Sequence, residues 1–139
     1  MQKFRDAVER RDLDALVALL SDDVVFRSPV VHAPYRGRSE VATLLKAVGQ
    51  VLEDVRYTRQ IGHEDAADHA LVLRARVGDR ELEACDFMHV NDDGLIDELY
   101  VMVRPLSGLM AMAEAMKRQL GLGDSSMPAG RLAATAGSK

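Results

Sequence analysis

The chain of 139 residues holds a single cysteine, Cys85, and no tryptophan. A lone cysteine cannot close an internal disulfide, and no zinc framework can be assembled around it. Phe and Tyr occur only three times each, so a core must rest mainly on Leu, Val, Ala and Met. No apolar run approaches the roughly 20 residues that a membrane-spanning helix needs. The opening MQKFRDAVERRD is charged throughout and lacks the apolar stretch of a secretory signal, so a reducing cytoplasm is the expected setting. There is no excess of positive charge: the formal net charge is −4, which argues against a nucleic-acid backbone as partner. No Gly-rich phosphate loop is present, and the four histidines never adopt an HxxxH or HExxH spacing. Neither a cofactor nor a metal is therefore expected.

What is there is an ordinary globular balance, 47% hydrophobic and 29% charged, at a length that fits one domain. Phe4, Ala7, Val8 and Arg11 share one helical face. Asp12 is placed to cap a second helix carrying Leu13, Leu16, Val17 and Leu20, which the acidic pair Asp22 and Asp23 ends. Residues 24–28 read as a strand. Pro29, Pro34 and Gly37 punctuate a loop through His32 and Tyr35. Ser39 is read as the cap of a third helix, with Val41, Leu44, Leu45, Val48 and Leu52 on one face.

The period then changes to two. Strands are predicted at 55–61, 68–77, 80–91 and 95–104, with turns at Gly78-Asp79 and Asn91-Asp92-Asp93-Gly94. A last helix follows Pro105, with Leu106, Leu109, Ala113, Met116 and Leu120 on its stripe and Gly121 as its C-terminal cap. Residues 122–139 are rich in Gly, Ser and Ala without periodicity and read as a mobile tail after a domain of residues 1–121. Helices followed by an antiparallel meander indicate an α+β domain whose twisted sheet curls around its helices.

Asp86 is the most informative position. It shares a strand face with Leu82, Ala84 and Met88. A carboxylate there must be paired, or its pKa must rise. Held neutral it can donate a hydrogen bond to a carbonyl; ionised and desolvated it can act as a base. The plainer alternatives are a bulge residue or one bonded to a backbone amide or a buried cation. His69, inward on the neighbouring strand, is a candidate acid–base partner for Asp86, or simply a half-buried rim residue. Cys85 is flanked by acids, which disfavours a thiolate, and Ser28 lacks a GxSxG turn. Among Met102, Met110, Met112 and Met116, core packing is the favoured role. Phe87, Tyr100 and Met102 alternate to the outer face among Glu83, Glu98 and Arg104, as expected of a surface covered by a second copy, the alternative being scattered exposed apolar groups that need no partner.

Three segments carry a family resemblance: FRDAVERRDLDALVALLSDDVVFRSPV, YRGRSEVATLL and EACDFMHVNDDGLIDELYVMV, within about residues 2 to 105. Together they resemble the NTF2-like superfamily, in its SnoaL-like and ketosteroid-isomerase-like branch. The resemblance implies a curved antiparallel sheet wrapped around three N-terminal helices, a C-terminal helix, a conical pocket and a homodimer joined through the convex sheet face. Relatives of ketosteroid isomerase use a base after the first strand, a Tyr on the first helix and a protonated Asp on a late strand. Ser28, Phe4 and Asp86 fall at those positions here, so two of the three groups are missing and steroid isomerisation by that route is not expected. The implied function is binding of a small, largely apolar molecule with a carbonyl or hydroxyl group, with isomerase, cyclase or dehydratase chemistry as its extension. Asp86 and His69 are the candidate catalytic residues. Phe4, Phe26, Met88, Leu99 and Val101 are the candidate wall, and Ser28, His32 and Tyr35 the candidate mouth. The alternative is a non-catalytic homodimeric accessory domain whose own side chains fill the cavity.

Overall fold

The computed structural model describes residues 1–121; the segment 122–139, read above as a tail, lies outside the described residues. The chain runs α1 (Gln2–Glu9), α2 (Leu13–Val17), β1 (Leu20–Arg27), β2 (Tyr35–Arg36), α3 (Arg38–Val51), β3 (Glu53–Ile61), β4 (Asp68–Val77), β5 (Arg80–Val90), β6 (Ile96–Arg104) and α4 (Leu106–Gln119). The strands form one sheet in the order β2-β1-β6-β5-β4-β3. Strands β3 to β6 are the expected antiparallel meander. The sheet as a whole is mixed, because β1 runs parallel to β6. Among the described residues no helix is long and apolar enough to cross a membrane.

The largest departures from expectation lie between α2 and α3. Helix α2 is capped by Asp12, whose Oδ1 accepts from the Ala15 amide at 3.0 Å, but it stops at Val17. Leu20 begins β1, paired with Ile96, and Asp22 and Asp23 lie inside that strand. Tyr35 and Arg36, read as loop, pair with Phe26 and Val25. Helix α3 is preceded not by Ser39 but by Gly37, whose φ of 95° makes the turn and whose amide bonds the Val24 carbonyl at 2.8 Å.

Helix α4 also presents a different face. Leu106 is exposed, while Gly108 and Met112 are buried. Gly108 allows the helix to approach β5 so closely that a Cβ there would lie 2.7 Å from the Glu81 carbonyl oxygen. The methionines accordingly divide: Met112 is buried and Met116 packs on the core, but Met102 and Met110 are exposed. Among the described residues, helices α1 to α4 pack their buried side chains on one face of the sheet. Two apolar clusters fill that side, one around Phe4, Leu20, Phe26, Leu71 and Leu99, the other around Leu73, Leu82, Ala84 and Met112.

Candidate active site

Alternation along β5 turns Leu82, Ala84, Asp86 and Met88 toward the helices, and all four are buried. Asp86 stands opposite Leu71 of β4 and Val101 of β6, both apolar. Between sheet and helices lies a cavity of about 610 Å³, a size that suits a small organic ligand. Its deeper wall is apolar, with Phe4, Phe26, Leu73, Leu99, Val101 and Met112 among its residues. Met112 borders this space without filling it. Charged and polar side chains, Glu9, Arg11, Asp12, Lys46, Gln50 and Asp54, gather at the mouth. There Arg11 donates to the Gly49 carbonyl at 2.6 Å, tying the α1–α2 turn to α3.

Asp86 borders this cavity at 8% exposure. Burial pushes its pKa up to about 7, and among the described residues neither a hydrogen bond nor an opposite charge offsets the effect. Near neutral pH the group therefore exists in both forms. Neutral, it donates to a ligand oxygen; ionised, it removes a proton. The second polar group of the inner wall is Tyr57, on β3, which the sequence reading passed over. Its phenol pKa is raised, first by burial and then by the nearby charge of Asp86. The Arg5 guanidinium lies 5.3 Å from the centre of its ring. The signal was present in the sequence: Val55 and Tyr57 alternate with Arg56, so Tyr57 belongs to the inner face.

The model of the SnoaL-like domain matches residues 1–99. The chain belongs to the SnoaL-like family. This SnoaL-like domain is 44% identical to a steroid delta-isomerase from Pseudomonas aeruginosa, with a TM-score of 0.82 and a match covering 87% of this chain and 88% of that one. It is 31% identical to a protein with a cystatin-like fold from Silicibacter pomeroyi, again with a TM-score of 0.82, over 88% of this chain and 85% of that one. A Mycobacterium tuberculosis protein in complex with estradiol-17beta-hemisuccinate shares the fold at 21% identity, with a TM-score of 0.60 over 77% of this chain and 92% of that one. The comparison with curated proteins gave no match.

In the SnoaL-like domain the ten residues singled out from sequence divide evenly. Asp86, Phe4, Phe26, Leu99 and Val101 border the cavity. The other five do not. His69 is buried but stands opposite Met88 rather than Asp86, and its Nε2–H donates to the Ala66 carbonyl at 2.7 Å. Met88, at 2% exposure, is packed in the core around Leu71 and Leu99. Tyr35 is likewise core, its ring centre 6.4 Å from that of Phe26. The Ser28 Oγ accepts from the Val30 and Val31 amides, so it is committed to its own turn. His32 is exposed to solvent. Among the described residues no three His, Cys, Asp or Glu side chains are placed to hold a metal ion. Cys85 lies next to Asp86 in the chain, and burial and that charge push its thiol pKa up, away from a nucleophilic thiolate.

Proposed function

We propose that this SnoaL-like domain binds a small, largely apolar molecule through its carbonyl or hydroxyl oxygen, with Asp86 contacting that oxygen at the back of the cavity. The observation that carries this reading is a buried carboxyl group, without a partner among the described residues, bordering a cavity of about 610 Å³ whose inner wall is otherwise almost wholly apolar. The relative named as a steroid delta-isomerase supports a ligand of this class. Steroid isomerisation by a base after the first strand, a Tyr on the first helix and a late-strand Asp does not fit these residues. Ser28 lies outside the cavity, and Phe4 within it has no hydroxyl. The chemistry available is transfer of one proton by Asp86 beside a polarised carbonyl. That fits isomerisation, cyclisation or dehydration, and not acyl transfer.

Calorimetric titration with a methyl naphthyl ketone tests the proposal. Saturable binding is expected, weakening as pH rises through about 7, where Asp86 loses the proton that the ketone accepts. Filling the space with Ala84→Trp is expected to remove binding, because Ala84 borders the cavity. Absence of binding, or affinity indifferent to pH, contradicts the proposal.

We further infer a homodimer through the outer sheet face. Phe87 and Tyr100 stand opposite each other there and, with Met102, are 42%, 41% and 49% exposed. Ion pairs Arg27–Glu98 at 2.8 Å and Arg104–Glu83 at 2.6 Å flank them, so the face carries both signs of charge and two copies do not repel. Sedimentation at high micromolar concentration is expected to give twice the chain mass; the single-chain mass contradicts the inference.

A further inference from the structure

We propose that the ligand carries a carboxylate at the end opposite its buried oxygen, and that Arg11 and Lys46 hold that carboxylate at the mouth of the cavity. This assignment rests on the cavity reading given above and narrows its ligand to an amphipathic class, an apolar acid with a carbonyl or hydroxyl at its far end.

Arg11 occupies an unusual place. It follows the end of α1, and its φ of 56° is left-handed backbone, a position after a helix that glycine usually fills. An arginine there accepts local strain. Its side chain crosses to α3, where one guanidinium nitrogen donates to the Gly49 carbonyl at 2.6 Å. The remaining N–H donors of the fork have no partner among the described residues. Lys46 lies about one turn before Gly49 on α3, and residues three apart on a helix are surface neighbours. Both side chains border the cavity. The mouth therefore carries a pair of cations on its α3 side. Like charges brought together repel, and one shared anion relieves that repulsion.

Among the described residues neither cation forms an ion pair, although acids share the mouth. Two of those acids are engaged elsewhere. Asp54 holds the Arg76 guanidinium at 2.7 Å. Asp12 caps α2 through the Ala15 amide and lies 3.8 Å from Arg10. The third, Glu9, lies within electrostatic reach of Tyr57 on β3. A single negative charge on the ligand completes the set, and the planar arginine fork matches a carboxylate. Asp86 at the back and the two cations at the mouth are separated by apolar wall. A ligand held at both ends enters in one orientation, which an apolar wall alone does not impose.

The test uses ligands of one body, an acetylnaphthalene with a short, medium or long alkoxy chain, each ending in a carboxylate or in the carboxamide of the same shape. Calorimetry gives dissociation constants on the wild type, Lys46→Gln and Arg11→Gln. Lys117→Gln, on α4 and outside the cavity, controls for net charge. The wild type is expected to bind the carboxylate of the best-fitting chain about tenfold more tightly than its carboxamide. Lys46→Gln is expected to cut that preference about threefold, and Arg11→Gln further. Lys117→Gln should leave it unchanged. Raising salt from about 0.01 M to about 1 M should erode the wild-type preference, because exposed charges are screened. Carboxamide affinity reports in every variant whether the cavity is intact, and Lys46→Gln decides the matter where Arg11→Gln disturbs the α1–α2 turn. Equal or weaker binding of the carboxylate at every chain length overturns the anionic end and leaves the cavity reading standing. A preference that Lys46→Gln leaves intact, or that Lys117→Gln reduces as much, overturns the assignment to Arg11 and Lys46. Binding of neither ligand overturns both the anionic end and the cavity reading.

Discussion

His69 and Asp86 occupy adjacent strands, face the same side of the sheet and are almost equally buried, at 5% and 8% exposure. Their surroundings differ, although His69 Nδ1 also lacks a partner among the described residues. At the His69 end, Met88 stands directly across, Nε2 is held by the Ala66 carbonyl, and neither side chain borders the cavity. At the other end, Asp86, Ala84 and Leu82 look into open space. Two residues of advance along one strand separate a packed core from a binding wall. Strand alternation decides which face a residue joins, and the packing of helices on that face decides whether a ligand can reach it. Burial alone therefore does not mark a site; burial without a partner, beside a void, does.

The largest effect expected to expose this contrast is on stability. Met88, 2% exposed and opposite His69, should cost roughly 3–5 kcal/mol when cut to alanine, because its neighbours close around it on all sides. Leu82→Ala should cost less, roughly 2 kcal/mol, because part of that side chain already faces the cavity. Urea unfolding midpoints measure both, and equal losses would erase the distinction between the two ends.

Asp86→Asn sharpens it through pH. Between the ordinary value of 3.8 and about 7, folded Asp86 keeps a proton that the unfolded chain has released. Its contribution to stability is thus most favourable below that window, declines as pH rises through it, and is flat again above, a loss on the order of 4 kcal/mol. The asparagine variant should lack this decline and gain on the wild type as pH rises. Stability curves that stay parallel across the window contradict the unpaired carboxyl. A smaller effect is expected from Gly62→Ala at the packed end. Gly62 has a φ of 115°, and an added Cβ would lie 2.8 Å from His69 Nδ1, so a loss of roughly 1–3 kcal/mol is expected, with ketone affinity at the other end unchanged.

The meander was legible because period-two alternation and turn residues are local signals. Strand β4 has the bounds expected for it, and Asp86 stood out as the one acid on an apolar face. The entry to β1 was not legible. Leu20 continues the helical spacing of Leu13, Leu16 and Val17, and only pairing with Ile96, distant in sequence, draws it into a strand. Tyr35 and Arg36 are a strand for the same nonlocal reason. The site was half legible. Parity placed Asp86, Leu99 and Val101 on the inner face, but nothing local announced that a turn carbonyl at Ala66 would occupy His69. Tyr57 has inward parity, but it stands between Arg56 and Arg59, and strand alternation alone does not separate a cavity-lining phenol from a core aromatic.

The most direct test is the titration of the Asp86 carboxyl carbon by NMR in the free protein. The midpoint is expected near 7 and should move higher when a ketone is bound, since an acceptor retains the proton. A midpoint at the ordinary 3.8 would mean that water or a cation reaches the carboxylate, and the role assigned to Asp86 would be contradicted.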